Sequence, residues 1–232
     1  MKKSEMKPEE KRQLIRKIVA RFAGLPLVLA TIVLLPAGTF NYWEFYVYTG
    51  IVVIPMLFVL SYFLKRDPRF LDRRTRAREK EKTQVIVQVI FTIVFLVGFV
   101  VSGLDRRFGW SEVPVNIVLL ADLVILLGYL IIFRVFRENS YASRIVEVEE
   151  HQDLITTGLY SLVRHPMYVG VLIMYVPTPI ALGSWWGVIP MMMIPLALVL
   201  RIRNEEALLK RQFPEYAEYC RNTKYRLIPY LW

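Results

Sequence analysis

"RHPMYVGVLIMYVPTPIALGSWWGVIPMMMIPLALVLRIRNEE", Arg164 to Glu206, holds two apolar runs, Met167–Leu182 and Trp185–Leu200, with charge only toward its two ends. The turn between them lies near Gly183. Arg164 stands nineteen residues before that glycine, and Glu205 and Glu206 stand twenty-two and twenty-three after it. Residues equidistant from the turn of an antiparallel helical pair share one height, since each residue adds ~1.5 Å of rise. The spacing therefore predicts that Arg164, His165 and the glutamate pair meet at the open end of a hairpin. Each run is shorter than the ~20 residues of a full crossing, so flanking turns or local thinning must supply the rest. The "GSWWG" at the tip has GxxxG spacing, but its position predicts a turn with interfacial tryptophans.

Upstream of the hairpin lie four more apolar runs: Phe22–Gly38, Phe45–Leu64, Val85–Leu104 and Pro114–Phe133. The hydrophobic fraction is 55% of 232 residues, against roughly 45–50% for a soluble domain. The chain reads as an all-α integral membrane protein with about six transmembrane helices. A polar loop and a C-terminal helix are expected to form a cytosolic cap.

Charge placement sets the orientation. Lys and Arg number eight within 1–21, nine within 65–82, four within 134–165 and seven from Arg201 onward, while the other connections hold only Arg106 and Arg107. This alternation is the positive-inside pattern for six spans with both termini in the cytoplasm. The net charge of +10 thus belongs to loops that face anionic headgroups, and no folded basic module for nucleic acid surrounds them. No cleavable signal is evident at the charged start. Cys220 is alone, and His151 and His165 lie too far apart for zinc-ligand spacing, so neither a disulfide framework nor a metal centre is expected. The lipid bilayer is the expected partner, and no obligate protein partner is evident.

The chain divides into residues 1–137, four helices with the basic loop 65–83, and residues 138–232, a candidate catalytic region. Between them runs a polar bridge. Ile145, Val146 and Val148 alternate with charge there, so a short strand or extended loop is expected. His151 is read as a solvated loop histidine. Prolines at 26, 36, 55, 177 and 179 interrupt the spans, which membranes tolerate where the freed carbonyls find other partners.

Pro166 suits the first position of a helix, where its missing N–H costs nothing. The free N–H groups there, with the Arg164 guanidinium, suit a carboxylate or phosphate. A plain reading also stands: Arg164 ends a helix at a basic membrane face. Ile202, Glu206, Leu209 and Phe213 recur at four, three and four residues and share one helical face. Glu206 thus falls on an apolar stripe, where a carboxylate needs a cation. That cation is either Arg164 or a ligand. Glu205 is turned about a hundred degrees away. Asp122, eight residues into the fourth run, is costly in lipid. It either contacts a substrate headgroup or makes a helix–helix hydrogen bond.

The stretch "GLYSLVRHPMYVG" (158–170) and the later "RNEEALL" (203–209), "FPEYAEY" (213–219) and "TKYRLIP" (223–229) resemble the isoprenylcysteine carboxyl methyltransferases and their phospholipid-methylating relatives. The first half adds nothing beyond being apolar. The resemblance implies a membrane methyltransferase that uses S-adenosylmethionine under a cytosolic cap and acts on a lipophilic or small-molecule substrate. Tyr160, Arg164, His165, Pro166, Tyr168, Gly170 and Glu206 would then bind the cofactor, and Arg164, Glu206 and Glu205 would be catalytic. Arg164 would orient a carboxylate. Glu206, or else Glu205, would hold cationic charge or act as base for an amine. The substrate reading is an isoprenylcysteine-type carboxylate, with a phospholipid amine or a small thiol as alternatives. An NADPH-dependent sterol-type reductase and a non-enzymatic scaffold or transporter also stand as alternatives. No G-x-G-x-x-G occurs, so a Rossmann cofactor site has no support.

Overall fold

A computed structural model describes residues 8–75, 82–141 and 153–232. The expected strand at 145–148 and His151 lie outside them. The described residues are helical without a strand: α1 (Pro8–Phe22), α2 (Leu25–Ala37), α3 (Trp43–Arg66), α4 (Pro68–Thr75), α5 (Lys82–Phe108), α6 (Val115–Glu138), α7 (Pro166–Tyr175), α8 (Thr178–Ala181), α9 (Val188–Met191), α10 (Met193–Gln212) and α11 (Tyr216–Asn222). A 3₁₀ turn at Gly158–Ser161 precedes α7.

Four helical stretches are long and apolar enough to cross a membrane: Pro8–Ala37, Trp43–Arg66, Thr83–Phe108 and Val115–Glu138. They coincide with the first four apolar runs, and the molecule is a multi-pass membrane protein. Their ends follow the local chemistry. α2 stops at Gly38, whose φ of +66° favours glycine and whose N–H caps the Leu34 and Leu35 carbonyls. α3 stops at Asp67 because Pro68 forces the preceding residue out of the helical region, and α4 starts on that proline. Within α3, Pro55 removes one helical N–H, and the Tyr129 hydroxyl of α6 donates to the Val52 carbonyl at 3.0 Å.

The hairpin differs from two even spans. Its first arm is a sixteen-residue apolar stretch, Pro166–Ala181, with a turn at Val176–Pro177 between α7 and α8. Its second arm begins with the single turn α9 before α10 runs unbroken from Met193 to Gln212. The prolines at 177, 179, 190 and 195 account for the pieces, since none can donate to a helical ladder. Gly128 of α6 and Gly170 of α7 let the two helices approach closely. A Cβ on Gly128 would lie 2.9 Å from the Gly170 carbonyl, and a Cβ on Gly170 would lie 2.6 Å from Ile132 Cγ1.

The tip is a turn, with Gly183 at φ +71° and both Trp185 and Trp186 exposed. A polar latch holds it. Asp105, fully buried at the end of α5, accepts from the Ser111 N–H at 2.8 Å and from the Ser184 hydroxyl at 2.6 Å. The Tyr42 hydroxyl donates to the Leu182 carbonyl nearby. With the tip fixed and α7 docked on α6, the open end of the hairpin has one defined position.

Candidate functional site

That open end carries two buried polar clusters side by side. Glu206 is the centre of the first. Its Oε1 accepts from Arg164 Nε at 2.8 Å and its Oε2 from Arg226 Nε at 3.0 Å. His165 Nε2 stands 3.4 Å from Oε1, too poorly aligned for a hydrogen bond. The Glu206 side chain is only 4% exposed. Burial alone pushes its pKa up, but the His165 ring, the Arg164 guanidinium and the Arg226 guanidinium together outweigh this. They hold it at about 2. Glu206 is therefore a fixed carboxylate, both oxygens committed to guanidiniums.

Arg164 does more than pair with it. Its Nη1 donates to the Thr223 and Lys224 carbonyls at 2.9 and 3.1 Å, and its own N–H donates to the Tyr225 carbonyl at 2.9 Å. The His165 N–H donates to the Arg226 carbonyl at 3.0 Å. The chain after α11 is thus stitched along the entrance to α7, and the backbone donors of Arg164 and His165 are spent on it.

The second cluster centres on the Tyr168 hydroxyl, one turn into α7. It donates to Glu205 Oε2 at 2.5 Å and accepts from Arg201 Nε at 2.8 Å. The His165 ring stacks on Tyr168 with centroids 5.7 Å apart. Gln84, near the start of α5, closes the far side. Its Nε2 donates to the Arg201 carbonyl at 3.3 Å and to Asn204 Oδ1 at 2.8 Å. Five ionic side chains, Arg164, Arg201, Arg226, Glu205 and Glu206, therefore crowd the open end.

The remaining candidate residues take other places. Tyr160 accepts from Asn139 Nδ2 at 2.9 Å through its hydroxyl, and its carbonyl accepts from the Tyr219 hydroxyl at 2.7 Å. Burial raises its phenol to about 12. It thus joins the end of α6 to α11. Pro166 opens α7 and is buried. Gly170 faces α6, where the backbones need the missing side chain. Asp122 is buried at 3% exposure and neither oxygen meets a donor, so the expected helix–helix hydrogen bond is not formed. Arg201, Gln84, Asn204 and Arg226 escaped the reading of the sequence. Arg201 had a signal in standing one helical turn before Glu205, whereas Gln84 and Arg226 are brought in only by tertiary packing.

The span from α6 through the hairpin to the first residue of α11 also matches known proteins. Residues 116–216 match the phospholipid methyltransferase family. Over 80 residues the chain is 40% identical to protein-S-isoprenylcysteine O-methyltransferase B of Arabidopsis thaliana, covering 30% of this chain and 38% of that protein. Its A counterpart from the same plant is 37% identical over 83 residues, 32% of this chain and 40% of that protein. The nickel-cobalt-cadmium resistance protein NccN of Alcaligenes xylosoxydans xylosoxydans is 41% identical over 76 residues, 31% of this chain and 34% of that protein. Each match spans less than half of the relative's own length. The family match takes in Arg164, Tyr168, Arg201, Glu205 and Glu206, whereas Gln84 and Arg226 lie outside it.

Proposed function

We propose that this protein is an S-adenosylmethionine-dependent membrane methyltransferase that methylates a lipophilic substrate, an isoprenylcysteine-type carboxylate, at the cytosolic membrane face. The observation that carries the reading is the Arg164–Glu206 and Tyr168–Glu205–Arg201 arrangement at the open end of the hairpin. It gathers guanidiniums for a carboxylate and a carboxylate for a cation, beside an apolar bundle that suits a lipid tail. The family match and the two plant relatives supply the reaction class.

The donor set fits a zwitterionic, cationic cofactor. Three buried polar atoms at this end form no hydrogen bond, His165 Nε2, Gln84 Oε1 and the Tyr216 hydroxyl, and buried polar atoms are seldom left so. Tyr168, His165 and Glu205 would hold the cofactor, which when bound supplies an electrophilic methyl group. Glu205 is better placed than Glu206 to meet positive charge, because Glu206 already serves two arginines. Arg164 would orient the acceptor carboxylate through the part of its guanidinium not given to the tail. The chain's contribution to the in-line displacement is alignment and exclusion of water. A carboxylate nucleophile needs no base. This agrees with Glu206, whose pKa of about 2 leaves it unable to take a proton near neutrality. A phospholipid amine stays as the second reading, on the strength of the family match; it would need a base other than Glu206.

The test is a radiolabelled-methyl screen with protein in lipid nanodiscs, offering prenylated cysteine, aminophospholipid and small thiols in parallel. Label in a base-labile prenylcysteine ester supports the proposal. Label only in aminophospholipid moves the assignment to the second reading, and no transfer to any acceptor rejects both.

A further inference from the structure

The family match begins at residue 116, so it does not cover α5, yet α5 contributes a side chain to the site. Gln84 is fully buried. Its amide orientation is fixed, because Nε2 donates to two acceptors, the Arg201 carbonyl and Asn204 Oδ1. Turning the amide over would set oxygen against oxygen at both. In the orientation that remains, Oε1 is buried and meets no donor. Such an orphan is unfavourable until a donor reaches it.

Its surroundings identify the missing donor. Arg201, Asn204 and Glu205 stand three and four residues apart on α10 and so share a face, and Gln84 packs against that face. The Tyr168 hydroxyl bridges Arg201 Nε and Glu205 Oε2. One turn of α10 therefore carries a carboxylate and a guanidinium, and the helix face it shares with Asn204 meets an amide whose oxygen has no donor. An α-amino acid zwitterion complements that set: its ammonium has three N–H bonds to place, and its carboxylate suits the neighbouring positive charge.

We propose that Gln84 is a ligand-binding residue which, together with Glu205, receives the α-ammonium of the amino-acid end of the cofactor. This rests on the methyltransferase reading and adds to it a subsite on a helix outside the matched region.

Calorimetry of the full chain in nanodiscs tests it with three probes: S-adenosylhomocysteine, its desamino analogue without the α-amino group, and S-inosylhomocysteine without the adenine amino group. Gln84→Met is expected to weaken S-adenosylhomocysteine and the inosyl compound about tenfold more than it weakens the desamino compound. Asn204→Ala, which loosens the amide without removing Oε1, is expected to weaken all three alike and by less. The wild-type protein is expected to prefer S-adenosylhomocysteine to the desamino compound, which covers the case in which Gln84→Met does not fold; equal wild-type affinity for the two would also overturn the assignment. An equal loss on all three probes with Gln84→Met, no loss on S-adenosylhomocysteine, or a loss that vanishes only with the inosyl probe would each overturn the assignment. A wild-type protein that binds none of them would refute the methyltransferase reading itself.

Discussion

The two ends of the hairpin are both polar and both buried, but they are built differently. At the tip, Asp105 gathers the Ser111 and Ser184 donors, and Ser184 in turn accepts from the Gly187 N–H at 3.0 Å. Hydroxyls and backbone amides surround one acid, and both of its oxygens are served. At the open end, three arginines and two glutamates crowd together, Arg226 and Glu205 half-buried, and His165 Nε2, Gln84 Oε1 and the Tyr216 hydroxyl form no hydrogen bond. A closed network of neutral donors around one acid holds elements together. A charge-rich network with orphaned atoms costs stability that a ligand's groups can recover. The tip has an ionic pair of its own, Glu44 beside Gly183 with Arg106, and one Glu44 oxygen there meets no donor, so the two ends differ in how many arginines they gather.

The largest effect that sharpens this contrast is expected from Arg164→Ala. It leaves the buried Glu206 short of a partner and frees the tail at Thr223 and Lys224. A loss of about 3–5 kcal/mol is expected, with S-adenosylhomocysteine binding abolished, as read by denaturant melts in detergent and by calorimetry. Arg164→Lys, which cannot reproduce the fork, should recover little of either.

The next effect is one of pH. Glu206 has a folded-state pKa of about 2 against an ordinary value of 4.5. Its stabilising contribution is therefore fully present above about pH 4.5 and is lost as pH falls through about 2. Melting temperatures of wild type and Glu206→Gln, followed from pH 7 downward, should hold a constant gap to about pH 4.5 and converge toward pH 2. A gap that stays constant to the acid limit contradicts the assignment.

Asp105→Asn should cost about 1–3 kcal/mol through the loosened tip and leave S-adenosylhomocysteine affinity within about twofold. If affinity falls as far as with Arg164→Ala, the two ends are not separable and the comparison breaks. The smallest effect is expected from Tyr168→Phe. It removes one hydroxyl shared by Glu205 and Arg201, costing about 1 kcal/mol of stability and weakening cofactor binding about tenfold.

Much of this arrangement could be read from local features of the sequence. The distances of Arg164 and Glu206 from Gly183 put them at one height, and their side chains meet at 2.8 Å. Of the stripe Ile202, Glu206, Leu209 and Phe213, all but the half-buried Leu209 are buried. What stayed hidden depends on packing between distant segments. Gln84 stands 117 residues before Arg201 in the chain, just ahead of the third apolar run, where nothing sets it apart from Gln88. The latch of Asp105 on Ser184 spans 79 residues and offered no motif. The breaks in the hairpin arms had visible causes in their prolines, but which turns give way is decided by what each carbonyl meets in the fold. The commitment of Glu206 to a second arginine, Arg226, also came from the tail folding back, which no periodicity marks.

The central claim, that the open end of the hairpin holds S-adenosylmethionine, is tested most directly by titrating purified protein in nanodiscs with S-adenosylhomocysteine and, separately, with NADPH. The account predicts saturable binding of S-adenosylhomocysteine at one site per chain and no response to NADPH. Binding of NADPH instead, or heat from neither compound, would contradict it.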